Sequence, residues 1–252
     1  ASSTRGLFGA GQGSGSPGFV NTIEFVTIAT TSNATNFGDL NETTFQGAVT
    51  GNETRYVYGG GTTPTVQNVI DFVTIATTGD ATNFGDLTEK RFALTAFGSP
   101  TRGIYAGGAT PTVVNTIDYI TIASAGDATD FGDVTSEDTR NPMGVSSATR
   151  GVIAGGQTPA PSNGTNAIDF LTIATTGSTA DFGDLTDGRR RGTALSNSIR
   201  GVFAGGYDPS AKNVMDYITI ATTGNAQDFG DTASTVFRLG TGASDSHGGL
   251  AE

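Results

Sequence analysis

Hydrophobic residues in this chain fall in short runs, each closed off by Gly, Thr, Asn or Asp. NVMDYITIAT (213–222) mixes β-branched and aromatic residues with an acid in mid-run, the composition of a pleated strand. GVFAGG (201–206) is apolar and ends in a Gly pair that permits a tight turn or a close backbone approach. A weaker alternating run precedes it, RFALTAFG (91–98) in one place and GTALSNS (192–198) in another. A short DFGDL-like strand follows, reached through a TTGN or TTGD turn. No long window carries apolar residues at i, i+3 and i+4, so helices are not expected. The chain reads as all-β, in units of four short strands.

These units repeat. The FGD word places Phe37, Phe84, Phe131, Phe182 and Phe229 at spacings of 47, 47, 51 and 47 residues. A second word, Asn-x-(Ile/Met)-(Asp/Glu)-(Phe/Tyr), begins at Asn21, Asn68, Asn115, Asn166 and Asn213 with the same four spacings. The longer interval comes from the loop PAPSNGTN. A third word, Arg followed by an apolar run and small residues, starts at Arg5, Arg55, Arg102, Arg150 and Arg200. Periods in this range belong to propeller blades.

The ends complement each other. Residues 1–40 hold the second, third and fourth strands of a unit but no first strand, and VFRLGTGASDS (236–246) reads as a first strand with no second after it. His247 lies eighteen residues after Phe229, as Arg200 does after Phe182, so the tail reaches the register where Arg5 begins. The expectation is a single domain over 1–252, a five-bladed β-propeller of four-stranded blades whose C-terminal strand completes the N-terminal blade. Its units run approximately 1–44, 45–90, 91–139, 140–190 and 191–235, with closing strand 236–246.

Composition narrows the chemistry. Thirteen Lys and Arg against twenty-four Asp and Glu leave a net charge of −11, which repels a phosphate backbone, so nucleic acid is not an expected partner. There is no Cys, hence no disulfide and no thiolate metal site. No run approaches the ~18 apolar residues of a membrane span, so no membrane insertion is expected, and the opening ASSTRG lacks the basic and apolar regions of a signal peptide. His247 is the only histidine, so neither a His-based acid/base pair nor a multi-histidine metal site can be assembled, and no nucleophile-elbow motif accompanies it. An enzyme is not expected.

Recurring polar residues are therefore weighed as structure first. Glu24, Asp71, Asp118, Asp169 and Asp216 sit in mid-strand; they could line a channel as a cation-binding ring, but hydrogen bonds from turn amides of their own blade or from the recurring Arg are the expected arrangement. The five Arg are in turn expected to pair with carboxylates of their own or the adjacent blade. Asp39, Asp86, Asp133, Asp184 and Asp231 read as strand-end turn residues. Asp127, Asp130 and Asp133 have an oxygen-ligand spacing, but other copies carry Asn or Ser there and no loop ends in the Glu that calcium requires. GQGSGSPG (11–18) lacks the Lys-Ser/Thr of a phosphate loop. No metal and no cofactor is expected. The loops 11–18, 62–67, 109–114, 157–165 and 207–212 break the pattern on one face, with Tyr207 their one aromatic, and variable loops on a rigid scaffold are where recognition usually resides.

The order of words, a Gly pair, an aromatic-bearing strand and a short aromatic-plus-Leu strand, resembles the kelch repeat. This chain departs from it in having no Trp, in using the Phe of FGD, and in having Ala10-Gly11 in the first copy. The wording TIATTGNAQDFGD (219–231) also resembles repeat arrays of virion and tail-associated proteins of tailed phages, notably marine ones. That resemblance covers all five units. It implies a non-enzymatic structural or adhesive module in a virion or otherwise outside the cell. Its partners would be other structural proteins of the assembly or a host-surface glycan or protein, with association of identical copies left open. A carbohydrate-binding propeller is the alternative; the lack of Trp for a sugar platform counts against it.

Overall fold

In the computed structural model, which describes residues 1–13, 18–136, 139–159 and 163–234, antiparallel sheets follow one another along the chain. The first sheet holds strands Arg5–Gln12, Phe19–Thr27 and Thr35–Thr44. Four four-stranded sheets come next. Their strands in positions one to four are Ala48–Gly51, Arg55–Gly59, Val69–Thr74 and Thr82–Asp86 in the second sheet, then Thr95–Gly98, Arg102–Ala106, Thr116–Thr121 and Thr129–Asp133 in the third. Met143–Ser146, Arg150–Ala154, Ala167–Thr172 and Ala180–Asp184 form the fourth sheet. The fifth has Thr193–Ser196, Arg200–Ala204, Val214–Thr219 and Gln227–Asp231. Among the described residues there is no α-helix. Two of the variable loops fold into small ladders that periodicity does not reveal, Thr62–Thr63 with Thr65–Val66 and Ala109–Thr110 with Thr112–Val113, both on the wording T-P-T-V.

The FGD word turns out to encode a β-bulge. Ile70 pairs with Gly85 and Asp71 with Asn83, so Phe84 is skipped by the ladder. The same skip occurs at Phe37, Phe131, Phe182 and Phe229. A bulge bends the strand and re-aims the extra side chain. Each of these Phe rings meets the third-strand aromatic edge-on, as in Phe72–Phe84 at 5.7 Å and Phe170–Phe182 at 6.0 Å.

The apolar core lies between sheets. Ile23, Phe37 and Leu40 of the first sheet cluster with Tyr56, Val73 and Ile75 of the second, and each later pair of neighbours makes a cluster of its own. At position one, buried hydroxyls tie each strand to the next: Thr50 Oγ1 donates to Phe97 O (3.0 Å), Ser146 Oγ to Gly98 O (2.8 Å) and Ser196 Oγ to Ser146 O (3.2 Å). The predicted closing strand 236–246 and His247 lie outside the described residues, and the described sheets form an open series from first to fifth.

Candidate functional site

The polar residues that recur once per unit converge on the junctions between consecutive sheets. Three contacts recur there. The first joins the bulge to the next sheet's turn before its fourth strand: Gly79 N donates to Phe37 O (2.8 Å), Ala81 N to Asp39 O (2.8 Å), and Asp39 N to Asp80 Oδ1 (3.1 Å). Later junctions repeat it through Gly126, Gly177 and Gly224, with Asp127, Ser178 and Asn225 receiving the side-chain bond. The strand-end Asp and the TTGD turn are thus two sides of one contact, and Asp127 is occupied with the Asp86 amide.

The second contact uses the recurring Arg. Arg5 Nη1 donates to Ile75 O (2.8 Å), Arg55 to Ile122 O (2.7 Å), Arg102 to Ile173 O (2.9 Å) and Arg150 to Ile220 O (3.0 Å). Each guanidinium also covers the third-strand aromatic of its own sheet, as Arg55 does Phe72 at 4.5 Å and Arg200 does Tyr217 at 4.4 Å. This corrects the expected pairing with carboxylates. A carbonyl at the end of the neighbour's third strand needs a donor at every junction, and the Arg supplies it without burying a second charge.

The third contact takes the mid-strand Asp, and its partners also differ from those expected. They come from the end of the last strand of the preceding sheet or from the segment that follows it. Asp71 accepts from Asn41 N (3.1 Å) and Nδ2 (2.5 Å). Asp118 accepts from Thr88 N (3.2 Å), Thr88 Oγ1 (2.6 Å) and Arg91 Nη2 (2.6 Å). Asp169 accepts from Ser136 Oγ. Asp216 accepts from Thr186 Oγ1 (2.5 Å) and Arg189 Nη1 (2.7 Å). In the two ion pairs all four side chains are fully buried. Glu24, which has no preceding sheet among the described residues, is exposed.

Arg91 and Arg189 escape a reading that follows the recurring words, because only two units carry them. Their signal is register: each lies seven residues after its Phe, Phe84 or Phe182. Thr44 holds that place before Asp71, and Asp138, outside the described residues, holds it before Asp169. Without a guanidinium, desolvation pushes the Asp71 and Asp169 carboxyls above the ordinary carboxylate range, partly opposed by hydrogen bonds from Asn41 and Ser136. A raised folded-state pKa means the native state holds the proton more tightly than the unfolded chain. These two sites therefore add stability as pH falls from neutral toward the unfolded carboxyl value of about 4. Relative to the double variant Asp71→Asn with Asp169→Asn, the wild-type chain should gain melting temperature as pH falls through that window; equal slopes for both proteins would refute the assignment.

Among the described residues no three His, Cys, Asp or Glu gather around a common point. Shallow clefts of about 400 Å³ sit at the junctions, one lined by Ser2, Thr4, Arg5, Glu53, Thr54 and Ile75 and another by Ser147, Thr149, Arg150, Ser198 and Ala221. Tyr207 is half-buried with its ring under the Arg190 guanidinium at 5.4 Å, and pairs with both Arg190 and Ala211 in local β-bridges.

No protein-family model matches the chain, and no curated protein matches its sequence. The fold is shared. A solved structure titled "Structure of YjhT" superposes with a TM-score of 0.78 over 96% of this chain and 85% of that one, at 11% sequence identity. The chain has a propeller-like, all-β fold of repeated sheets. At that identity the likeness extends to architecture alone.

Proposed function

We propose that the protein is a non-catalytic structural or adhesive module of an extracellular assembly, such as a tailed-phage virion, built as a kelch-like, five-bladed propeller closed by residues 236–246. One observation carries the reading: the Arg, Asp, Phe and Gly that recur once per unit are engaged in holding neighbouring sheets together. Asp71, Asp118, Asp169 and Asp216 are buried and hydrogen-bonded, and four of the five recurring Arg donate to carbonyls of the next sheet. A scaffold of this kind leaves recognition to the loops between the second and third strands. With a net charge of −11, nucleic acid is a disfavoured partner, and neighbouring structural proteins or a host-surface glycan or protein are the expected ones.

Fractionation of the native source, probed with an antibody to the protein, tests this together with a glycan array read at millimolar sugar. The expected result is sedimentation with particles and no glycan binder. Free protein with a defined sugar ligand would replace the structural role by the lectin-like one, and a turnover signal on any substrate would end both.

A further inference from the structure

The two ends of the series carry unmatched halves of a junction. On the fifth sheet Phe229 is 49% exposed, whereas Phe37, Phe84, Phe131 and Phe182 are each at 2%. Leu195 is 48% exposed, although Thr50, Phe97 and Val145 at the same place in strand one are buried. On the first sheet Ile28 is 57% exposed, whereas Ile75, Ile122, Ile173 and Ile220 are buried. The turn 32–34 there has the register of Gly79, Asp80 and Ala81, with Asn33 in the place that Asn225 fills at the fourth junction. What the fifth sheet lacks as a partner, the first sheet presents.

A size rule identifies the missing strand. The residue after each recurring Arg faces strand one of the preceding sheet. A Cβ on Gly103 would lie 2.5 Å from Thr50, on Gly151 2.1 Å from Phe97 and on Gly201 2.8 Å from Val145. Bulk on one sheet meets glycine on the next. Leu195 continues the bulky set, and the residue after Arg5 is Gly6, where a Cβ would meet only Val26 of its own sheet at 3.5 Å. The exception is Tyr56 after Arg55. It is buried against the first sheet, its hydroxyl 2.6 Å from where a Cβ on Gly9 would be, and that hydroxyl has no hydrogen-bond partner among the described residues. Adding to Leu195 the 47 residues that separate Phe182 from Phe229 gives Gly242. By register, then, the one glycine of the strand-one set corresponds to the one large residue of the other set.

We propose that residues 236–246 take position one of the first sheet in the register that sets Gly242 against Tyr56, and that the fifth sheet of the same chain then docks on the first, with Leu195 over Gly6 and Asn33 receiving the Asp231 amide. This rests on the closed-ring reading above and is independent of the role outside the cell. Eight residues lead from Ser234 to Gly242, the same interval that leads from Asp187 to Leu195, and fully extended they reach about 28 Å.

A double-mutant cycle tests the register in the full chain by thermal unfolding. Gly242→Leu and Tyr56→Gly are each expected to lower the melting temperature, and the double variant to recover most of the loss. A silent Gly242→Leu, or losses that simply add, would overturn the register, and the first outcome needs no second variant to fold. The docking is read in a chain free of native cysteines by oxidising Asn33→Cys with Asp231→Cys, beside Asn225→Cys with Asp184→Cys across the fourth junction as a benchmark. Both pairs should give an internally linked monomer. A covalent ladder from the first pair would show that copies join one another instead, and linkage of the benchmark alone would show that the faces do not meet; either defeats the proposal. Particle association can fail while both tests succeed, so the two readings are separable.

Discussion

Arg189→Met is expected to lower the unfolding free energy by about 3–5 kcal/mol, the usual consequence of removing one partner from a buried ion pair. Arg189 and Asp216 meet at 2.7 Å with both side chains fully buried. Without the guanidinium, Asp216 keeps only the Thr186 amide and hydroxyl. The carbonyls of Asp187 and Phe203, which Arg189 also binds at 2.9 and 3.2 Å, lose a donor as well. Adding Asp216→Leu should restore a large part of the loss, since an apolar pair of similar volume avoids the desolvation of a lone carboxylate. Recovery stays incomplete because the Asp187 and Phe203 carbonyls still lack the donor that Arg189 supplied. Urea unfolding of the two variants measures both terms, and a single-variant loss under about 1 kcal/mol would mean that the pair does not hold this junction.

The first junction shows why the Arg is one solution among others. There Asn41 provides both a backbone and a side-chain donor to Asp71, and Thr44 stands in the guanidinium's register. What the junction requires is a set of donors at the exit of one sheet for a carboxylate on the next. That requirement explains which parts of the molecule were legible in the sequence. Unit count, strand order and the approximate place of every strand in the five main sheets followed from repeated words, because strand-forming composition is local. Strand-one runs came out shorter than expected, as at 95–98 against 91–98, because only their last residues pair with strand two. The partners of Asp71, Asp118 and the recurring Arg were not legible, since a neighbouring sheet lies on the order of fifty residues away and nothing in one unit's wording says which side of the junction supplies the donor. FGD misled in a subtler way. Strict alternation reads it as ordinary strand, whereas the ladder skips its Phe to turn the ring into the junction, so the word recurs for a reason that spans two units.

The glycine of that word carries the second large expectation. Gly85→Ala should cost about 3 kcal/mol or more, while Gly126→Ala on the opposite side of the same contact should cost only about 1–2 kcal/mol. Both have positive φ, +151° and +159°, so both pay the backbone strain of a side chain there. The difference is space. A Cβ on Gly85 would lie 2.3 Å from Gly126 O and 2.4 Å from Gly126 C, whereas one on Gly126 would meet nothing within 4 Å. A main chain cannot swing aside as a side chain does, so relief requires the sheets to part. Parting breaks the bonds from Gly126 N to Phe84 O (2.6 Å) and from Ala128 N to Asp86 O (2.8 Å) and loosens the packing of Phe84 behind them. Chemical denaturation of the two variants gives the comparison directly, and equal losses would show that strain alone sets the cost. Gly230→Ala extends the series to the open end, where a Cβ would find only Met215 at 3.9 Å. If the fifth sheet stands uncovered, Gly230→Ala should behave like Gly126→Ala; if the first sheet docks on it, the turn 32–34 occupies that space and the loss should match Gly85→Ala.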